Sequence, residues 1–282
     1  MPGTKIMQNY KPSEKSKGIL VFAFNNADTD YIKITEHFVR LARHTLNLPI
    51  TLVTGQQETI NFEVDQLIRV DTSNGNSRKE VGTGRRIEWR NFGRYYAYDL
   101  SPYDETLVLD TDYLVLDDQL LTYFDTAWDY LIPDRNMYLG QEATVETMGR
   151  YSLPYIWATN IFFRKTPKTQ MLFELVGKVQ RNYFYYKSLY NTSVSNFRND
   201  YAFAIADYIV NGYTSNIRTH LNRTLITADQ PVMSLDLVDN MLHIRGTETA
   251  YVLPVLNLHI LDKRYLQSKN FADFVEKFCN EK

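Results

Sequence analysis

Residues 18–71 alternate apolar runs with one helix-periodic stretch, and this order constrains the fold more than any other feature of the chain. "GILVFAFNN" (Gly18–Asn26) is a continuous apolar run ending in turn residues, the pattern of a buried strand. "DTDYIKITEHFVRLARHTLN" follows, with Ile34, Phe38, Leu41 and Leu46 near helical spacing. Its leading Asp-Thr-Asp suits a helix N-terminus. "LPITLVT" (Leu48–Thr54) reads as a second strand and "DQLIRVD" (Asp65–Asp71) as a third. A strand, helix, strand, strand opening implies a mostly parallel α/β sheet with a right-handed crossover.

The polar, Gly-rich residues 72–86, "TSNGNSRKEVGTGRR", are expected to form a mobile loop. "IEWRNFGRYYAYDL" is expected to be helical and "PYDETLVLDTDYLVLDD" to be the next strand. In the second half, "NMYLGQE" and "IWATNIFFRK" read as strands and "TQMLFELVGKVQRNYFYYKSLY" as one long helix. "NDYAFAIADYIVNGY" reads as a helix closed by Gly212. Late strands are expected in "LHIRG" and "AYVLPVLNLHIL", and a terminal helix in "NFADFVEKFC". No repeat or low-complexity linker interrupts the chain.

A chain of 282 residues can bury a sizeable core. The organisation expected is a flexible tail over 1–17 and a single domain over 18–282. Apolar residues at 44% and charged residues at 23% place the chain among soluble globular proteins. The 21 Tyr and 15 Phe imply an aromatic-rich core or pocket. A net charge of −2 gives no whole-molecule attraction to nucleic acid or to an anionic membrane, leaving only local basic patches. The single cysteine, Cys279, excludes an internal disulfide and a Cys-based zinc site. No apolar run reaches the roughly 18 residues that a membrane span needs. The polar start "MPGTKIMQNYKPSEKSKG" lacks a secretion signal, so a cytoplasmic protein is expected. The sequons at Asn191 and Asn222 would be silent there.

The tetrapeptide DTDY occurs twice, at Asp28–Tyr31 and Asp110–Tyr113. The first copy sits between a strand and a helix, where Asp28 or Asp30 can accept bonds from free helix N–H groups. Capping is its preferred reading. In the second copy Asp110 and Asp112 interrupt a run that is apolar on both sides. In a strand, residues two apart share a face. Two like charges in a buried strand are costly unless a cation lies between them. Aspartate oxygens suit Mg²⁺ or Mn²⁺. The alternative is a strand that ends early, leaving both carboxylates in a solvated turn.

A D-x-D motif flanked by strand, about 90 residues after an "LVFAFNN"-type strand, resembles the GT-A glycosyltransferases. The likeness is nearest to family-8-like enzymes and small transferases of tailed phages, and runs from Gly18 to about Tyr265. It implies a Rossmann-like GT-A fold: a mixed, mostly parallel sheet flanked by helices. It also implies Mn²⁺ or Mg²⁺ bound by Asp110 and Asp112 on the diphosphate of a nucleotide-sugar, with a UDP-sugar the favoured donor and Thr111 in the donor-binding set. "FAFNNAD" matches the nucleoside-holding strand and loop, which assigns Phe24, Asn25, Asn26 and Asp28 to base and ribose. "WRNFGRYYAYDL" matches the helix whose basic residues meet phosphates or sugar, here Arg90 and Arg94. "WATNIFFRK" resembles the strand lining the sugar and acceptor site, here Thr159 and Asn160. "FRNDYAFAIA" resembles the segment that supplies a carboxylate near the anomeric carbon, Asp200, beside Asn199. The family completes its metal site with a late histidine followed by a lysine on the diphosphate; His259 and Lys263 stand in that order. The family's glycine and Lys-Pro-Trp ending are absent.

The resemblance implies transfer of a sugar to an acceptor hydroxyl, with Asp200, Arg94 and Asn160 nearest the chemistry. An inverting enzyme needs a carboxylate base, Asp200 or Glu142; the family-8 likeness favours retention. The phage likeness makes hydroxymethylated DNA bases an acceptor class, approached past Arg78, Lys79, Arg85 and Arg86, a cluster otherwise read as a solvated loop. Two rivals stand beside this reading. One is a haloacid-dehalogenase-type phosphohydrolase, which also places D-x-D after an apolar strand. The other is a module that binds nucleotide-sugar or nucleic acid without turnover.

Overall fold

The structure, a computed structural model, describes residues 16–71, 76–79, 86–89, 91–150, 152–193, 197–214 and 224–280. Almost all of the expected N-terminal tail, along with Arg85 and Arg90, lies outside the described residues. In chain order the first elements are β1 (Lys17–Ala23), α1 (Tyr31–Leu46), β2 (Ile50–Gly55), β3 (Gln66–Val70), β4 (Asn76–Lys79) and β5 (Arg86–Trp89). A 3-10 turn over Asn91–Tyr96 leads into α2 (Ala97–Leu100), followed by β6 (Glu105–Leu109), β7 (Tyr113–Leu114), β8 (Tyr130–Leu131), β9 (Arg135–Tyr138) and β10 (Asn160–Arg164). Next come α3 (Pro167–Arg181), α4 (Tyr183–Leu189), α5 (Asn199–Val210), β11 (Thr224–Ala228), β12 (Val232–Val238) and β13 (Met241–Gly246). The chain closes with β14 (Ala250–Pro254), β15 (Leu258–Ile260), α6 (Lys263–Leu266) and α7 (Lys269–Asn280).

The main sheet has the order β3-β2-β1-β6-β10-β8. Strands β3, β2, β1 and β6 are parallel; β10 and β8 close the far edge antiparallel. Every residue of β2 and β6 is buried, and six of seven in β1, because helices cover both faces. Between β10 and the helices α3 and α5, Phe163, Phe173 and Phe203 form a chain of edge-on rings with centroids 5.0 and 5.4 Å apart. Much of the aromatic content is spent on this core.

A second sheet runs β7-β15-β11-β9, and a third is the antiparallel meander β12-β13-β14. Val232, Leu235, Leu242 and Ile244 of the meander join Phe271, Phe274, Val275 and Phe278 of α7 in a second apolar cluster. The β12–β13 hairpin turns at Asp239 and Asn240, both with positive φ (50° and 59°), as a two-residue turn compatible with strand twist requires.

Five expectations need correction. The segment "ETLVLDTDYLVL" is not one strand: β6 ends at Leu109, and β7 belongs to another sheet. Within the expected mobile loop, Asn76–Lys79 pairs antiparallel with Arg86–Trp89, so "IEWRNFGRYYAYDL" begins as strand and turns helical only at Asn91. The long helix breaks at Asn182, whose φ of −122° leaves the helical region. "AYVLPVLNLHIL" divides at Pro254 into β14 and β15, which join different sheets. Finally, β11 and β12 carry strand structure that the sequence reading passed over.

Candidate functional site

Strands β1 and β6 lie side by side, with Val21 opposite Leu109, and both run on into loops at their carboxyl ends. In open α/β sheets a crevice at that end is the usual ligand site. From β6 the chain enters the turn Asp110–Asp112, closed by the Tyr113 amide donating to the Asp110 carbonyl at 3.1 Å. The Asp110 amide donates to the Thr159 carbonyl at 2.9 Å, and the Ile260 amide donates to the Asp112 carbonyl at 2.9 Å. Two segments distant in sequence therefore fix the turn.

On the antiparallel β7–β15 ladder His259 stands opposite Tyr113. That register brings one ligand atom each of Asp110, Asp112 and His259 within 4.8 Å of one another. The carboxylates converge through a turn and a cross-strand neighbour, not through the period of a single strand. Nor is the turn a solvated one: Asp112 and His259 are buried and Asp110 is partly buried. His259 Nε2 lies 3.6 Å from Asp112 Oδ1. Asp112 Oδ1 and His259 Nδ1 are both buried, and neither has a hydrogen-bond partner among the described residues.

Two cations face the pair. Arg94, 2% exposed, donates through Nη1 to Asp110 Oδ1. Lys263 donates through Nζ to Asp112 Oδ2 and, at 3.1 Å, to the Ile260 carbonyl. Burial pushes the Asp110 carboxyl up; Arg94 opposes this and the Asp112 charge reinforces it. Burial would also raise Asp112, but Lys263 and His259 reverse the effect and hold its carboxyl well below the usual range. Two oxygen donors and one imidazole form a set suited to Mn²⁺ or Mg²⁺. Asp110, Asp112 and His259 would hold such an ion. The unpartnered Asp112 Oδ1, buried beside His259 Nε2, also fits an ion there.

The other candidates have definite places. Phe24 is buried, and the loop after it is folded by its own side chains. Asn25 Oδ1 accepts from the Ile32 amide at 3.0 Å; Asn26 Oδ1 accepts from the amides of Asp28 and Thr29, both at 2.9 Å. Asp28 is exposed, and Asp30 is the N-cap of α1, accepting from the Lys33 amide at 3.0 Å. Thr111, Thr159 and Asn199 are buried. Asn160 donates to the Tyr113 hydroxyl at 3.4 Å and leaves a buried Oδ1 without a partner among the described residues. Asp200 accepts from the Ala158 amide and the Tyr155 hydroxyl, both at 2.9 Å, and from Arg198 Nε at 3.2 Å. It thus anchors the segment whose Thr159 carbonyl holds Asp110. Glu142 is exposed.

Sequence reasoning missed several supporting residues. Glu58, buried, receives the Asn25 amide at 3.2 Å. Asn257 receives the amides of Leu116 and Asp117 at 2.8 and 3.1 Å, fastening the chain just past the motif. Its position two residues before His259 was a usable signal. Gln267 bridges Asp30 and Lys263, and no pattern marks it.

No protein-family model matches the sequence, and no curated protein matches it. Among solved structures, one of LgtC with an active-site substitution aligns over 93% of this chain and 94% of its own, at 15% identity and a TM-score of 0.50. The galactosyltransferase LgtC with donor and acceptor sugar analogues gives 14% identity, the same coverages and a TM-score of 0.49. The glycosyltransferase GlyE of Streptococcus pneumoniae gives 15% identity and a TM-score of 0.37 over 69% of this chain. That alignment takes in only 43% of GlyE, so this chain spans less than half of it. Among the described residues no helix is long and apolar enough to cross a membrane. The likeness to LgtC at a TM-score of 0.50 shows the fold: a mixed, mostly parallel GT-A sheet flanked by helices.

Proposed function

We propose that this protein is a metal-dependent glycosyltransferase that moves a sugar from a nucleotide-diphosphate donor, a UDP-sugar, to an acceptor hydroxyl. The observation that carries the reading is the meeting of Asp110, Asp112 and His259 at the carboxyl end of β6 in a GT-A fold. A haloacid-dehalogenase reading fits poorly, since that motif follows an N-terminal strand and here it follows β6. Asp110, Asp112 and His259 would hold Mn²⁺ or Mg²⁺, which when bound neutralises charge on the leaving diphosphate as a Lewis acid. Lys263 stands at the same carboxylate and adds positive charge where the diphosphate gathers negative charge. Arg94 balances Asp110 from the buried side, and Arg90 remains a candidate phosphate contact.

Phe24, Asn25, Asn26 and Asp28 form the nucleoside end, with Thr111 between the two carboxylates on the donor side. Asn160, Asn199 and Asp200 form the sugar and acceptor end. Because Asp200 accepts bonds from three donors, we assign it to positioning, consistent with retention. The acceptor proposed is a hydroxylated molecule of the class that includes hydroxymethylated DNA bases, met in the cytoplasm by a single transferase domain over 18–282. Incubation with a panel of nucleotide-sugars tests the proposal. Nucleoside diphosphate should appear with Mn²⁺ and stop with a chelator, and hydroxymethylated DNA should gain the mass of a sugar if it is the acceptor. Binding without release from any donor would leave a binding module instead.

A further inference from the structure

We propose that Gln267 is a positioning residue that ties the nucleoside loop to the lysine–carboxylate pair, so that the two ends of the donor site order together. The inference rests on the glycosyltransferase reading and names how that site is coupled. Gln267 follows α6, and three of its polar groups are used across the site. Its side-chain Oε1 accepts from the Asp30 amide at 2.9 Å. Its Nε2 donates to the Lys263 carbonyl at 2.9 Å. Its own carbonyl accepts from Lys33 Nζ at 2.6 Å.

Each partner belongs to a different part of the site. Asp30 ends the loop that Asn25 and Asn26 fold, and its carboxylate starts α1. Lys263 points its ammonium at Asp112. A path of directed bonds therefore runs from Asp112 through Lys263 and Gln267 to Asp30, its last bond joining positions 237 residues apart in sequence. A primary amide is suited to this place because it accepts on one side and donates on the other. A carboxylate keeps the first bond and loses the second. Coupling of this kind is reciprocal: whatever orders one end lowers the cost of ordering the other.

Calorimetric titration of the full chain with UDP and with inorganic pyrophosphate, each with Mn²⁺, tests the tie. Pyrophosphate engages only the metal end, whereas UDP engages both. Gln267→Ala should weaken UDP binding about fivefold or more, as loss of hydrogen bonds worth about 1 kcal/mol each implies, and leave pyrophosphate affinity within about twofold. Gln267→Glu, which preserves bulk and the Asp30 bond, should fall between Ala and the wild type and serves if the Ala variant does not fold. A purely structural role would lower the melting temperature of both variants and leave the UDP-to-pyrophosphate affinity ratio unchanged; that result overturns the proposal. If the wild-type chain binds neither ligand, the glycosyltransferase reading itself fails and the tie falls with it.

Discussion

His259 faces Tyr113 across the β7–β15 ladder, and this register sets its Nε2 3.6 Å from Asp112 Oδ1. A metal role for His259 rests on its sharing a 4.8 Å cluster with two carboxylates. His259→Ala should therefore weaken Mn²⁺ binding by at least about tenfold, the loss that even outer-shell substitutions at metal sites produce. Isothermal titration in the presence of UDP measures it. A lower melting temperature with unchanged Mn²⁺ affinity would return His259 to the core.

Asp112→Asn removes the charge that Lys263 faces and leaves an ammonium that is mostly out of water. Breaking such a pair from one side costs up to about 3 kcal/mol where burial is incomplete. The single variant should lose both melting temperature and metal-dependent donor binding. Adding Lys263→Met should recover much of the melting temperature and none of the donor binding. Equal losses of stability in the single and double variants would show that the pair is not coupled.

Asp30→Ala should cost about 1 kcal/mol in chemical denaturation, because the side chain caps α1. The Asp30 amide still reaches Gln267 in this variant, so UDP affinity should change little. Unchanged stability with lost UDP binding would make Asp30 a nucleotide contact instead of a cap.

His37 gives a pH signature remote from the site. Burial first, then the charges of Lys33 and Arg40, lower its pKa from 6.5 to about 4. Between those values the unfolded chain binds more protons than the folded one, so stability rises with pH. His37 thus favours the folded state fully above about pH 6.5. That contribution drains away as pH falls and is gone below about 4. His37→Leu should flatten the melting temperature over this window relative to the wild type. Parallel profiles for the two proteins would refute the assignment.

Much of the sheet was legible because β1 holds a continuous apolar run and β2 and β6 are short segments rich in Ile, Leu and Val, as strands covered on both faces are. The cap at Asp30 was legible for a local reason, since its partner is three residues away. The motif's conformation was not. Apolar residues on both sides of Asp110–Asp112 looked like one strand because both sides are buried, yet the second side straddles two cores: Leu109, Tyr113 and Val115 belong to the first apolar cluster, Leu114 and Leu116 to the second. The β12–β13 hairpin was missed although "DN" between apolar residues carries a turn signal. Gln267 was illegible for a deeper reason. Its importance lies in partners hundreds of positions away, and a lone glutamine after a short helix has no periodicity to betray it.

Because the two strands flanking the D-x-D turn belong to separate sheets, the turn acts as a seam between those sheets, while α1 and β7 contribute side chains to both apolar clusters. Asp110 continues from β6 of the main sheet, while His259 stands on β15 of the second. The spacing of the Asp110, Asp112 and His259 side chains is therefore a gauge of how the two sheets are set against each other. If the three side chains hold an ion as proposed, interior substitutions far from them, such as in Phe274 or Leu242, would alter its fit by fractions of an ångström without touching any of the three.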